Sequence, residues 1–256
     1  MRGRLVLAVF SVAILTACGH KQARVNSPPP PSVEPQPAPP EKQTDTIAPK
    51  KADVPKATKS EKIDTPLSIP ADTVPLLTET GMSSWYGAPY HNRRSSNGEI
   101  YNMHAMTAAH RTLPLGSIVR VTNVKTGSTA LVRITDRGPF VDGRILDVSY
   151  AAAKQLDIYQ PGTAKVKVEV MQTPTSLTNG GRWAVQIGSF DTQKQAAEFA
   201  NHLSRRYHTA KVAKFASPVG AWWIRIRVLN DDRQRAEALA HETETAAGSV
   251  YLVRLD

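Results

Sequence analysis

The sequence predicts two small folded domains, the first mainly β and the second α+β, behind a long proline-rich lead. Three observations carry this. Thirteen of the 19 prolines fall between Pro28 and Pro75. Residues 80–172 hold several short runs that alternate apolar and polar side chains, the period of half-buried strands. Residues 181–256 interleave strand-like and helix-like runs in the order βαββαβ, a ferredoxin-like arrangement.

The chain opens with "MRGRLVLAVFSVAILTAC" (1–18). A basic flank, a short apolar run and small residues before its end describe a signal peptide rather than a spanning helix. The stretch resembles a bacterial lipobox. That resemblance implies lipidation of Cys18, hence a membrane anchor, and Gly19 in place of an aspartate points to the periplasmic face of the outer membrane. The alternative is an ordinary signal peptide with an incidental cysteine. Cys18 is the only cysteine, so no disulfide forms within the chain. Residues 19–76 contain no Phe, Trp or Tyr and few large apolar residues, too little to offset chain entropy, and predict a disordered, partly polyproline-II spacer.

In the first domain "SIVRVTNVKTGSTALVRITDRGPF" alternates on both sides of Lys125-Thr126-Gly127, the pattern of a β-hairpin, with Val119, Val121, Leu131 and Arg133 falling into alternating sets. "AKVKVEVM" (164–171) repeats the period of two. "SYAAAKQLDI" (149–158) predicts a short helix with Ser149 as N-cap and Ala152, Ala153 and Leu156 on one side. Several strands with one short helix suggest a small β-barrel. Residues 173–180 are a Pro/Thr/Ser/Asn/Gly linker.

In the second domain "RWAVQIGSF" reads as a strand. "DTQKQAAEFANHLSRR" reads as a helix capped by Asp191, with Ala196, Phe199, Ala200 and Leu203 on one face. "TAKVAKFA" and "AWWIRIRVLN" are two more strands, "DDRQRAEALAHET" a helix with Asp231 and Gln234 at capping-box spacing, and "SVYLVRL" the last strand. The period of two puts Ile224, Ile226 and Val228 on a covered face. Trp223, Arg225, Arg227 and Gln186 fall on an open one.

The net charge of +10 includes +5 over 80–172 and +3 over 180–256. Basic excess suits a polyanion. With an exported, anchored chain the polyanion is the cell wall or a lipid surface, and no nucleic-acid partner is expected.

"SSWYGAPYHNRRSSNGEIYNMHAMTAAHRTLPLGSIVRVTNVKTG" and "VRITDRGPFVDGRILDVSYAAAKQL" together resemble the double-psi β-barrel of the RlpA (rare lipoprotein A) family of septal lytic transglycosylases. The resemblance implies a groove that holds a glycan. Cutting a glycosidic bond takes a proton donor and a negative group beside the oxocarbenium-like centre. The domain has six acids, Glu99, Asp136, Asp142, Asp147, Asp157 and Glu169. Asp157 and Glu169 are expected on solvated surfaces. Glu99 after Asn97-Gly98 and Asp136 before Arg137-Gly138-Pro139 sit where turns project a side chain from a strand end, and make the natural pair.

Carried over from the family, Asp136 is the acid/base, Glu99 the second carboxylate and His110 an orienting group. Each also has a bland alternative: a turn-forming aspartate, a solvated loop charge, a hydrogen-bonded histidine. Tyr86, Tyr90, Trp85 and Tyr101 are candidate sugar-stacking residues, with at least one of Trp85 and Tyr86 expected in the core. Arg137 and Arg144 are candidates to neutralise wall carboxylates. His91, His104 and His110 fit no standard zinc spacing, and no metal or cofactor is expected. Asn92 and Asn102 stand where the family more often has glycine and aspartate.

Headed by Val-Gln-Ile-Gly-Ser-Phe, the second domain resembles a SPOR domain, a module that binds septal glycan stripped of stem peptides. The resemblance implies a sugar-binding surface of Gln186, Ser189, Phe190, Trp223 and Arg225. Leu229-Asn230 stands where the family has Gly-Pro.

The expectation is therefore a lipoprotein at the division septum that cleaves the MurNAc-GlcNAc bond of peptide-free peptidoglycan strands, giving 1,6-anhydroMurNAc ends. Cell-wall amidases and division proteins are its candidate protein partners. A non-catalytic glycan binder and a hydrolase that uses water stay open as alternatives.

Overall fold

The structure is a computed structural model that describes residues 67–206, 220–243 and 249–256, together with the backbone of 211–216. The signal sequence 1–18 with Cys18, and all but the last ten residues of the spacer 19–76, lie outside the described residues. Everything described belongs to one compact unit, residues 58–256.

Six strands close a barrel: β1 Leu77–Tyr86, β2 Thr107–His110, β3 Ile118–Asn123, β4 Thr129–Asp136, β5 Arg144–Ser149 and β6 Thr163–Gln172. Their order around the barrel is β1-β5-β2-β4-β3-β6, with β1 closing onto β6. Two ladders, β1 with β5 and β2 with β4, are parallel, and the other four are antiparallel. Strand β1 begins three residues before the boundary drawn at residue 80.

The hairpin β3–β4 turns at residues 124–128 in the register Val119↔Val132 and Val121↔Ala130, so Val132 rather than Leu131 joins Val119 and Val121 in the core. Asn123 holds its base: the side-chain amide donates to the Leu156 carbonyl at 2.8 Å, and Oδ1 accepts from Lys125 N. Helix α1, Tyr150–Gln155, is capped by Ser149, whose hydroxyl accepts from Ala152 N, and buries Ala152 and Ala153. Glu169 is not solvated as expected. It lies buried on β6, drawn in by Arg120 at 3.0 Å and Lys167 at 3.2 Å, which hold its carboxyl below the ordinary value.

The second domain is a four-stranded antiparallel sheet of β7 Trp183–Phe190, β8 Lys211–Ala216, β9 Trp222–Arg227 and β10 Ser249–Arg254, in the order β10-β7-β9-β8. Helices α2, Gln193–Arg206, and α3, Arg233–Glu242, contact it. Both helix caps fall one residue later than expected. Thr192 and Gln195 form the capping box of α2, where Asp191 had been expected to cap. Asp232 caps α3 by accepting from Arg235 N, because the Asp231 carboxylate is taken by Arg227 at 2.8 Å.

The apolar face of the sheet, with Val185, Ile187, Ile224 and Ile226, packs on these helices as expected. The opposite face, expected open, is covered. Trp223 and Tyr251 pack against Phe140 of the barrel, with ring centroids 5.3 and 5.7 Å apart, and Gln186 is fully buried. Asp142 accepts from Tyr251 Oη and Ser249 Oγ, and Arg137 donates to the Asp256 carbonyl at 2.6 Å. The second sheet thus presents its polar face to the barrel.

Candidate active site

In β5 the core side chains Leu146 and Val148 bracket Asp147, so the two-residue period turns Asp147 to the outer face of the barrel. The neighbouring strand is β2, where Ala109 pairs with Asp147 on one side and with Asp136 of β4 on the other. The β2–β4 ladder slips register between Ala108 and Ala109. That irregularity brings Asp136, rather than Thr135, level with Ala109, the kind of re-aiming a bulge performs. The two aspartates therefore sit two strand spacings apart, about 10 Å between their Cα atoms.

Both line a cavity of about 490 Å³ whose walls include Tyr86, Tyr90, Tyr101 and five arginines. Trp85, by contrast, packs on the barrel core beside Tyr150 and Tyr159. Asp136 is held by its Oδ1, which accepts from Ser96 N at 3.0 Å, from Ser96 Oγ and from Arg137 N at 2.8 Å. Asp147 is differently placed. Its Oδ1 is buried with no side-chain partner among the described residues, and its Oδ2 meets Arg144 at 3.3 Å. Burial pushes its carboxyl up to about 6, with the Arg144 charge acting the other way. An aspartate half-protonated near pH 6 can donate a proton there and take one back. Tyr90 is raised by burial and then by the charges of Asp147 and Asp136, so its phenol lies in the field of both acids.

Glu99 and His110 do not line this cavity. Glu99 makes a bidentate pair with Arg133 at 2.7 and 3.0 Å, and this bond is the main cause of its lowered carboxyl value. The pair fastens the 95–99 loop to β4: Ser95 N donates to the Glu99 carbonyl and Asn97 N to the Thr135 carbonyl. That loop carries Ser96, a support of Asp136. His110 is buried, its Nε2 donating to Glu79 Oε1 at 2.6 Å and its Nδ1 accepting from Thr112 N and Leu113 N. Its carbonyl accepts from Arg137. Both residues are placed as supports beneath Asp136 and Arg137.

Asp147 carries no local signal in the sequence, because an acid between two apolar residues in a strand looks like any outward-facing charge. Of the sugar-binding candidates in the second domain, Gln186, Ser189, Trp223 and Arg225 line the same cavity as Asp136 and Asp147. Phe190 does not. A register shift between Gly188 and Phe190 leaves Ser189 out of the ladder, and Phe190 packs on Phe199 in the helix-side core.

Residues 78–168 match the family model described as lytic transglycolase, and residues 179–254 match that of the SPOR domain. A curated relative in Vibrio cholerae serotype O1, endolytic peptidoglycan transglycosylase RlpA, is 44% identical over 136 residues, 50% of this chain and 52% of the relative. The protein of the same name in Neisseria meningitidis serogroup B is 41% identical over 153 residues, 59% of this chain and 64% of the relative. That of Pseudomonas aeruginosa strain UCBPP-PA14 is 54% identical over 107 residues, 42% and 31% of the two chains. The chain spans about half to two thirds of the length of the first two. The barrel domain is thus similar to the lytic transglycolase family, and the domain behind it to the SPOR domain. Over about half its length the chain is similar to RlpA proteins.

Proposed function

We propose that the protein is a peptidoglycan lytic transglycosylase that cuts the MurNAc-GlcNAc bond of strands without stem peptides. The observation that carries this is the pair of aspartates flanking Ala109 in one cavity, one of them with its carboxyl raised to about 6. The names of the RlpA relatives support the same reading.

In this mechanism Asp147, protonated, gives its proton to the glycosidic oxygen as the C1–O bond of MurNAc breaks, and GlcNAc leaves with a free 4-hydroxyl. The positive charge that builds on C1 and the ring oxygen faces the Asp136 carboxylate, whose Oδ1 is tied to Ser96 and Arg137. The 6-hydroxyl of the same MurNAc attacks C1 and surrenders its proton to Asp147. The 1,6-anhydro ring closes, and the acid returns to its starting form without water. Glu99 and His110 act as positioning residues, through the Ser96 loop and through Arg137.

The signal-like 1–18 stretch and Cys18 favour a lipid-anchored protein at the periplasmic face of the outer membrane. The SPOR domain favours enrichment at the division septum, with cell-wall amidases and division proteins as neighbours there.

The test is to incubate the full chain in detergent with peptide-free glycan strands and weigh the products by mass spectrometry, beside Asp136→Asn, Asp147→Asn and Glu99→Gln. Ends lighter than hydrolysis products by one water, lost in both aspartate variants and reduced in Glu99→Gln, are expected. Products one water heavier would make it a hydrolase. No products, with glycan binding intact, would make it a binding protein.

A further inference from the structure

Arg137 is buried beside Asp136, and its guanidinium is held from both sides of the domain boundary. Nη1 donates to the His110 carbonyl of the barrel at 3.0 Å, and Nη2 to the Asp256 carbonyl of the second domain at 2.6 Å. Burial lowers its value to about 10, with the charges of Asp136 and Asp256 acting the other way. A buried guanidinium tolerates the loss of an acceptor poorly, so it stays where the two carbonyls put it. Its own backbone N–H donates to Asp136 Oδ1 at 2.8 Å. The place of Arg137 therefore sets where that carboxylate points.

The Asp256 carbonyl is fixed in its turn. It also accepts from Leu115 N at 3.1 Å, while Arg254 N donates to the Arg111 carbonyl at 3.0 Å, so residues 254–256 are bonded along the 111–115 segment of the barrel. That segment follows His110, whose Nδ1 accepts from Thr112 N and Leu113 N. On its other side the same stretch is anchored in its own domain. Asp256 Oδ1 accepts from Arg182 N at 2.8 Å and from Arg254 Nε at 3.0 Å, and Leu255 N donates to the Arg182 carbonyl at 2.7 Å. Arg254, 1% exposed, reaches on to the Ser176 carbonyl and Thr175 Oγ1 with its guanidinium over the Trp183 ring. A fully bonded polar network of this kind is rigid and transmits position from one end to the other. Its end is the residue that supports a reacting carboxylate.

We infer that residues 254–256 are a positioning element of the cleavage site, and that through Asp256 the second domain holds Arg137, and so Asp136, in working geometry. This rests on the proposed function and deepens it. Neither Arg254 nor Asp256 lines the cavity that holds the two aspartates, so both act through Arg137. The second domain then governs the rate of bond breaking, in addition to anything it adds to binding. A shift of Asp256 by a fraction of an ångström is passed to Arg137 and from there to Asp136, and catalysis is sensitive to displacements of that size.

The experiment compares the full chain in detergent with Asp256→Ala, the conservative Asp256→Asn, Arg254→Lys, and Leu239→Val, a change in the core beneath α3. Initial rates on peptide-free glycan strands give kcat and KM, and amide hydrogen exchange read by mass spectrometry follows residues 111–115 and 135–138. Asp256→Ala is expected to lower kcat about tenfold while KM stays within about twofold. Exchange in both segments should quicken about tenfold. Asp256→Asn keeps the Oδ1 acceptor and should recover most of both effects. Arg254→Lys loses the Nε donor and should fall between them. Leu239→Val should lower the unfolding midpoint and leave kcat and exchange in both segments as they were. An unchanged kcat in a folded Asp256→Ala overturns the inference, as does a loss confined to KM or one that Leu239→Val reproduces. Should the parent chain cut no glycan while Asp256→Ala still frees both segments, the cleavage proposal falls and the hold of Asp256 on Arg137 stands. Should the parent cut glycan and Asp256→Ala match it in both readouts, this inference falls alone.

Discussion

Asp136 and Asp147 are partners of the same residue: Ala109 pairs with Asp136 in the β2–β4 ladder and with Asp147 in the β2–β5 ladder. A small side chain between two acids leaves room above it. Even the nearby Gly138, at φ 148°, keeps any Cβ 3.7 Å from the Ala109 methyl. The acids share a cavity but not an environment, which lets their chemistry differ.

Cleavage should fall as pH rises through about 6, where Asp147 loses the proton it must donate. The profile of kcat/KM against pH measures this. Activity that holds flat from pH 5 to 8 would remove Asp147 from the acid role.

The same group links stability to pH. Its folded value of about 6 lies above the ordinary aspartate value of 3.8, so between those values the folded chain holds a proton that the unfolded chain has lost. Stability contributed by this group is complete below about 4, declines as pH rises, and is gone above about 6. Asp147→Asn should stabilise the fold at pH 8 by on the order of 2 kcal/mol and flatten this stretch of the curve. Urea unfolding at pH 4, 6 and 8 is the check.

Glu99→Gln breaks the bidentate bond to Arg133 and frees the loop that brings Ser96 to Asp136. Because Glu99 is 40% exposed, the stability loss should stay within about 1 kcal/mol. Turnover should fall about tenfold to a hundredfold, since displacement of a supporting group is felt strongly in catalysis. A variant that turns over like the parent would reduce Glu99 to a surface ion pair.

At Gly188, φ is 146°, and an added Cβ would stand 2.9 Å from the Trp223 ring and 3.1 Å from the Trp222 carbonyl. Gly188→Ala should cost about 1–3 kcal/mol and shift Trp223, visible in the indole fluorescence and the unfolding midpoint.

Phe140 and Asp142 reach from the barrel to Trp223, Tyr251 and Ser249 of the second domain. Replacing both by alanine removes two ring contacts, each about 0.5–1.5 kcal/mol, and two hydrogen bonds. Small-angle scattering of the double variant should give a larger radius of gyration, and an unchanged value would mean that other contacts hold the domains together.

Much of the fold was legible in the sequence because it is written in local periodicity. Alternation marked the hairpin and the final strand of the barrel, Ser149 marked the start of its helix, and the strand and helix runs of the last 75 or so residues gave the ferredoxin-like order. Errors of one residue arose where two polar groups compete. Asp231 had the right spacing to cap α3, but Arg227 four residues earlier claimed its carboxylate and left the cap to Asp232.

Local pattern could single out Asp136, since a turn after a strand is visible in the chain itself. It could not single out Asp147, whose significance comes from standing across β2 from Asp136, a relation set by the order in which the barrel closes. Nor could it show that Glu99 spends its charge on Arg133, or that the polar face of the second sheet is covered by the barrel. Alternation says which side chains share a face. What that face meets depends on contacts between residues a hundred positions apart, such as Ser249 with Asp142, and only the folded chain brings those together.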